Sequence, residues 1–430
     1  MLASLALASL LPILAAAVPC VQFDVQWNLY AFGGSQDVKL GTSSSWAQPA
    51  VTPLTSTGRP PWTGNNTQCM LSQFNNAMYV IGGDASDISK VYIYSFNSNS
   101  WSTQSTTSPP PVPQSRSASV LDHDTNVIFT FSNGGLTQLD MSGVTSTASS
   151  SALAWEGVSA PSWASGYTGS VTAAQASNHI NTSFEQGELY FGVPNTAAGS
   201  AQVFVVHYAY WQPTAQAFPT VSGGQAFPTT GGQAVSIPID GDGTPNNLVF
   251  IPSDFSNSYV VNHWTNPSSY ASTDGAPYAT NLINTTSILP PPPTRDTNAA
   301  YAASPSSLVQ ITTSGEINYI ANAVGSGSAV SGASWTKMNY AVTGGSGGSS
   351  ASASPSGASA SASSASASGT ASRASSASGT GSASVSGASA GASSSRAAAA
   401  GKVVLQGSMG FVGGTAMVVV AAVAGVGMLL

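Results

Sequence analysis

Met78-Tyr79-Val80-Ile81-Gly82-Gly83, followed by Tyr92-Ile93-Tyr94 and, after six intervening residues, by Trp101, is the stretch on which the fold turns. An apolar run that closes on two glycines predicts a strand leaving its sheet through a turn too tight for a side chain. The run has a counterpart upstream, Leu29-Tyr30-Ala31-Phe32-Gly33-Gly34. A looser one lies downstream, Val127-Ile128-Phe129-Thr130-Phe131 before Asn133-Gly134-Gly135, so that the glycine pairs begin 49 and 52 residues apart. Weaker echoes at residues 189–192, 248–251 and 308–311, the last with 317–320, follow at steps of about 60. A period near 50 is that of a propeller blade.

Between residues 21 and 342 short β-branched and aromatic runs alternate with Gly, Pro, Asn and Ser clusters, and no stretch keeps a helical period. The expectation is an all-β domain over residues 18–343. Six apolar strands, each read as the inner strand of a blade, argue for six blades, with seven as the alternative. A pair of β-sandwiches is the rival architecture.

The second repeat resembles a Kelch motif, and Pro113-Gln114-Ser115-Arg116 opens the next repeat roughly where Kelch blades place a Pro-Arg step. The resemblance implies structural roles for Gly33, Gly34, Gly82, Gly83, Gly134 and Gly135 in the turns. It also implies that Tyr94 and Trp101 fill the wedge between blades. It thins elsewhere: Phe204 and Trp211 keep the spacing, whereas the residues seven before Trp46, Trp264 and Trp335 are Lys39, Asn257 and Ser328. Secreted Kelch-like propellers include copper-radical oxidases, which need two Tyr and two His at copper and a Cys linked to one Tyr. Here none of His123, His179, His207 and His263 follows a tyrosine.

Residues 1–17 carry an apolar run ending in Ala15-Ala16-Ala17, the pattern of a secretory signal peptide. The only cysteines, Cys20 and Cys69, are expected to form a disulfide in an oxidising compartment, two buried free thiols being the alternative. Sequons begin at Asn65, Asn181 and Asn284. Charged residues make up 6% of the chain, too few to keep a surface soluble without help, and glycans are the natural substitute. Up to residue 343 six Lys/Arg face sixteen Asp/Glu, which argues against nucleic acid as a partner.

Residues 344–400 hold 23 Ser and two Thr and cannot bury enough apolar surface to fold, so they read as a disordered, O-glycosylated stalk. Stretched by sugars, it would span on the order of 100 Å or more. In the apolar segment 401–430 no charge follows Lys402. Ser393-Ser394-Ser395, a polar spacer and this apolar tail give the order of a lipid-anchor signal, with attachment expected at Ser393. A retained transmembrane helix is the alternative. Stalk and anchor together resemble fungal cell-surface proteins held by glycosylphosphatidylinositol.

No catalytic, cofactor or metal residue is assigned. Asp240-Gly241-Asp242-Gly243-Thr244-Pro245-Asn246 has the alternating oxygens of a small Ca²⁺ loop without the later bidentate acid, and reads as a turn. The Asp122-His123-Asp124-Thr125-Asn126 segment reads as a solvent-facing hairpin tip. The domain's four Glu (156, 185, 188 and 316) have no spacing that selects a glycosidase pair. Trp62, Trp155, Trp163 and Trp264 stand on loop-like segments where aromatics stack on sugars, although blade packing is the commoner use. The expected function is a non-catalytic surface or wall protein whose propeller binds a glycan or wall polymer. The alternatives are a secreted oxidase or glycosidase with an unrecognised site, and a purely structural wall glycoprotein.

Overall fold

The computed structural model describes residues 18–343 apart from 109, 114, 133–134, 159, 161, 165–166, 168–170, 181–182, 192–195, 197–199, 207–209, 212–214, 218–227, 229, 242 and 264–282. The chain divides into two units, residues 1–354 and 355–430. The signal peptide, stalk, Ser393 and apolar tail lie outside the described residues, as do Asn181, Gly134, His207 and Trp264.

Among the described residues, six antiparallel blades follow one another in chain order. Blade 1 is β1 (Cys20–Phe23), β2 (Leu29–Phe32), β3 (Val38–Gly41) and β4 (Thr52–Pro53). Blade 2 is β5 (Gln68–Ser72), β6 (Ala77–Ile81), β7 (Lys90–Ser95) and β8 (Ser100–Thr107). Blade 3 is β9 (Ser119–Asp122), β10 (Val127–Ser132), β11 (Gly135–Asp140) and β12 (Leu153–Val158). Blade 4 is β13 (Thr172–Ile180), β14 (Ser183–Phe191), β15 (Ser200–Val205) and β16 (Tyr210–Trp211), with β17 (Gln216–Ala217) also on β15. Blade 5 is β18 (Gly232–Ile239), β19 (Gly243–Pro252), β20 (Ser258–His263) and β21 (Ile283–Leu289). Blade 6 is β22 (Ala300–Ala303), β23 (Leu308–Ile311), β24 (Glu316–Ile320) and, after the small hairpin β25 (Val324–Gly325) and β26 (Ser328–Ala329), β27 (Thr336–Ala341). The first strands of the blades neighbour one another in the cycle β1, β5, β9, β13, β18, β22 and back to β1, so the ring is closed.

The core is the set of wedges between blades. Six apolar clusters correspond one to one with the six gaps around the ring. Strand alternation distributes each blade between its two wedges. In β2, Tyr30 and Phe32 face blade 2 while Leu29 and Ala31 face blade 6; in β6, Met78 and Val80 face blade 1 while Tyr79 and Ile81 face blade 3. The second strand of a blade is therefore buried on both faces and reads as an unbroken apolar run.

This corrects one expectation. The six apolar runs seen in the sequence are the second strands, not the innermost ones. The innermost strands line a polar axis and carry Gln, Ser and Thr, so their hydrophobic signal is diluted.

Between blades 1 and 2, Tyr94 lies across from Trp101 in the β7–β8 register with ring centroids 4.9 Å apart. Trp101 also meets Phe32 and Trp62 edge-on at 5.7 and 6.0 Å. A disulfide joins Cys20 on β1 to Cys69 on β5, tying the innermost strands of the same two blades. The first two glycine pairs sit where blades are crossed by incoming chain. Gly33 has φ +92°, and a Cβ there would lie 2.7 Å from the Pro19 Cα; at Gly34 it would lie 2.3 Å from a Val342 methyl. Ring closure is made at this turn, where Ser35 N donates to the Thr343 carbonyl at 2.8 Å.

At the outer edge of blades 2 and 3, β8 and β12 pair in parallel (Thr106 with Leu153, Thr107 with Ala154), fusing the two blades into one eight-stranded sheet. Gln104 fastens this seam: its Oε1 accepts from Ser149 N at 2.8 Å and its Nε2 donates to the Ser151 carbonyl at 2.7 Å.

Candidate functional site

The closed ring of innermost strands leaves an axial channel with a cavity volume of about 160 Å³, lined by residues of all six blades. Apart from Arg116 and His123, its walls are neutral amides and hydroxyls beside apolar groups. The glutamines there clasp neighbouring blades. Gln68 Oε1 accepts from Ser119 N at 3.0 Å, and its Nε2 donates to Ser119 Oγ at 3.1 Å, joining blade 2 to blade 3. Gln175 of blade 4 donates to Asp122 Oδ1 at 2.6 Å and accepts from His123 N at 3.0 Å. Gln233 Nε2 donates to the Thr297 carbonyl ahead of blade 6 at 2.9 Å.

One end of the channel is crossed by the β18–β19 hairpin. Gln73, after β5, donates through Nε2 to the Ile239 carbonyl at 2.6 Å, although blades 2 and 5 stand on opposite sides of a six-bladed ring. Trp27 of the β1–β2 hairpin donates to Asp240 Oδ1 at 2.5 Å, and Thr244 Oγ1 donates to Asp124 Oδ1 of the β9–β10 hairpin at 2.6 Å. Hairpins of blades 1, 2, 3 and 5 thus form one connected platform. The Asp240–Asn246 segment acts here as a cross-brace, and among the described residues no group of three or more His, Cys, Asp or Glu is placed to hold a metal ion.

His123 belongs to this platform rather than to an open loop tip, which corrects the sequence reading: its side chain is only 10% exposed and Nδ1 lies 2.8 Å from Asp124 Oδ1. Beside it Asp122 is fully buried. Burial pushes its carboxyl up to about 6, against the lowering effect of the Thr125 hydroxyl.

The opposite end holds Arg116. Its Nε donates to the Thr67 carbonyl at 3.3 Å and its Nη2 to the Pro19 carbonyl at 3.1 Å, so the guanidinium of blade 3 reaches over to blades 2 and 1. Nη1 is buried with no hydrogen-bond partner among the described residues. Burial pushes Arg116 down to about 10, partly opposed by Asp296, so it stays cationic at neutral pH. Lys39, Arg59, Lys90 and Lys337 each pair with a carboxylate, whereas Arg116 makes no such pair among the described residues.

Of the residues singled out in the sequence, Cys20 and Cys69 are consumed by the disulfide. The thiol that a Tyr–Cys cross-link requires is therefore absent. Trp62 and Trp155 are buried in wedges and Trp163 packs against one, so none of the three offers a free ring to a sugar. Asn65 is exposed on a turn, and Asn284 lies on β21. Glu316 is tied to Lys337, Thr294 and Asn318, which hold its carboxyl below the usual range, while Glu156 is exposed on β12. Sequence reasoning passed over the channel glutamines, Gln73 and Trp27. The available signal was a Gln recurring within the short segments that precede the apolar runs.

A Kelch motif model matches residues 71–108, which span blade 2 from the end of β5 to just past β8. No curated protein matches the sequence. Among solved structures, one described as "Streptogramin B lyase structure" is similar over 76% of this chain and 84% of its own, at 9% identity and a TM-score of 0.35. With six blades closed around an axial channel and the Kelch motif in the second, the chain is a Kelch-like β-propeller.

Proposed function

We propose that the chain is a non-catalytic binding and scaffold protein of the cell surface or wall, whose hairpin platform is the contact face. One observation carries this reading. Residues 18 and 343 both leave the ring at the Gly33–Gly34 turn, at the end of β2 remote from the β1–β2 hairpin, while the cross-braced hairpins stand at the other end. A tether at either terminus then leaves the platform unobstructed. The platform is also preorganised, since side-chain bonds across the axis fix four of its hairpins before any partner arrives. Phe74 is 74% exposed at the tip of the β5–β6 hairpin, next to Gln73, and supplies an aromatic face for stacking on a sugar ring or a partner side chain.

The secretory leader, the stalk and the lipid anchor at Ser393 complete this reading, with attachment to the outer membrane face or wall as the expected location. The disulfide and the exposed Asn65 support an oxidising, glycosylating route. The test is binding of the purified chain to a glycan array and to isolated wall polysaccharide. Saturable binding lowered about tenfold by Phe74→Ala, roughly the loss of one stacked ring, is the expected result. A blank, or binding indifferent to every platform substitution, would overturn it.

A further inference from the structure

We infer that a pocket on the platform, set between blades 1 and 6 and walled by Trp27 and Asp240, binds one neutral pyranose unit. The inference rests on the reading of this end as the contact face and adds the chemical unit recognised there.

Four segments far apart in the chain meet at this pocket. The β1–β2 hairpin supplies Trp27, the turn after β3 supplies Ser43 and Trp46, the β22–β23 hairpin supplies residues 304–307, and Asp240 reaches in from the β18–β19 hairpin. Direct contacts join them. Trp27 packs on the apolar cluster that holds Trp46, and its Nε1 donates to Asp240 Oδ1 at 2.5 Å. Trp46 Nε1 donates to the Gly41 carbonyl at 2.9 Å, and Ser307 N donates to Ser304 Oγ at 3.0 Å, which fixes the other two walls. Trp27 itself is half-buried and has φ +59°, a left-handed backbone that is costly for any side chain. Asp24 holds it there: its Oδ1 accepts from Gln26 N and Asn28 N, both at 2.9 Å, and its carbonyl accepts from Trp27 N at 3.0 Å. A costly conformation that neighbouring bonds over-determine is one way a fold positions a contact residue.

The groups left over on the wall define the ligand. Asp240 Oδ1 is taken by the indole, whereas Oδ2 makes no hydrogen bond among the described residues, and neither do the exposed hydroxyls of Ser43 and Ser306. A carboxylate oxygen calls for a donor, and the two hydroxyls give or accept. Around an indole ring, this set complements a molecule with several hydroxyl groups and an apolar C–H face, which is the make-up of a pyranose. Asp240 is the one charged residue among those lining the pocket, and its sign repels an anionic ligand. An ammonium ion would use the ring and the carboxylate but leave both serines idle. The cavity volume is about 160 Å³, close to that of a cavity that accepts benzene. It therefore takes one edge of a single sugar ring, and the rest of a longer glycan lies over the platform.

The experiment uses the full purified chain and saturation-transfer NMR, with the methyl pyranosides of glucose, mannose and galactose as probes and choline as the cationic control. At least one pyranoside is expected to saturate at millimolar concentration, with transfer concentrated on the C–H protons of one ring face, and choline is expected to bind more weakly. Trp27→Ala should lower that binding about tenfold, the loss of one stacked ring. Asp240→Asn, which keeps an acceptor for the indole and replaces the second oxygen by a donor, should lower it about fivefold. Since Trp27 also braces two hairpins, its variant is accepted only with unchanged far-ultraviolet circular dichroism. The double variant Ser43→Ala, Ser306→Ala alters exposed hydroxyls alone and should weaken the pyranoside about fivefold. No saturation by any pyranoside, tighter binding of choline, or a serine double variant that binds like the parent would each overturn the assignment. The two readings fail separately. Array binding that Phe74→Ala lowers, with no pyranoside saturating, would remove this pocket and keep the platform; pyranoside binding that needs Trp27, beside a blank array, would do the reverse.

Discussion

Replacing both Cys20 and Cys69 by alanine removes the covalent tie between blades 1 and 2, and its cost can be worked from the chain. The two residues are 49 positions apart. In the loop-entropy model, opening a closed loop of about 50 residues returns about 14 cal/mol/K to the unfolded chain, or about 4 kcal/mol at 25 °C. The native side of the balance changes little: Cys20 is buried against Met78 and Tyr30, and alanine leaves only a small gap in that wedge. Urea denaturation of the double variant, followed by tryptophan fluorescence, should therefore show a loss of about 4 kcal/mol. The denaturant slope should rise, because the uncrosslinked unfolded chain exposes more surface. Reducing the parent protein should reproduce both changes. A loss below about 1 kcal/mol with an unchanged slope would refute the reasoning, since it would mean that blades 1 and 2 stay associated in the denatured ensemble.

The pH dependence has an unusual sign at two buried carboxyls. Asp37 accepts from Gly33 N and Arg59, yet burial pushes it up to about 6. A native value above the unfolded one means that the folded state holds more protons between about pH 4 and 6, so this contribution to stability falls as pH rises through that window. Asp37→Asn should flatten the decline of the unfolding free energy, from urea denaturation between pH 4 and 6, relative to the parent, by an amount on the order of 2 kcal/mol. Gly64→Ala should cost about 3 kcal/mol, at the top of the overpacking range, because its Cβ would fall 1.8 Å from the Gly82 carbonyl oxygen. Gly82→Ala, strained by φ +64° with 3.3 Å of clearance, should cost about 1 to 2 kcal/mol by the same measurement. Asp240→Ala releases Trp27 from the cross-brace and should speed hydrogen exchange in the β18–β19 hairpin several-fold while the urea midpoint moves by less than the equivalent of about 1 kcal/mol.

The strand content, the blade period and the Kelch-like second repeat could be read directly because they rest on local chemistry. A strand buried between two wedges must be apolar at every position, as Met78 to Ile81 are, and a turn crossed by another chain segment must lack a side chain, as at Gly33 and Gly34. The two-cysteine count likewise left one intramolecular pair to make.

The position of those strands within the blade was not legible. Innermost and second strands differ only in what lies beyond them, and the channel exists only once six blades have closed around it. For the same reason Gln175 and Gln233 look like ordinary polar residues along the chain and become clasps only when a neighbouring blade presents a partner group. His123 sits in a sequence that spells an exposed turn, and is covered because the hairpin of blade 5, more than a hundred residues later, crosses the axis above it. Arg116 follows the same logic. Its charge is plain in the sequence, but the fact that two of its nitrogens are spent on the carbonyls of blades 1 and 2 while the third is left buried without a hydrogen bond among the described residues is set by tertiary structure alone, because its partners are brought to it by ring closure and not by proximity in the chain.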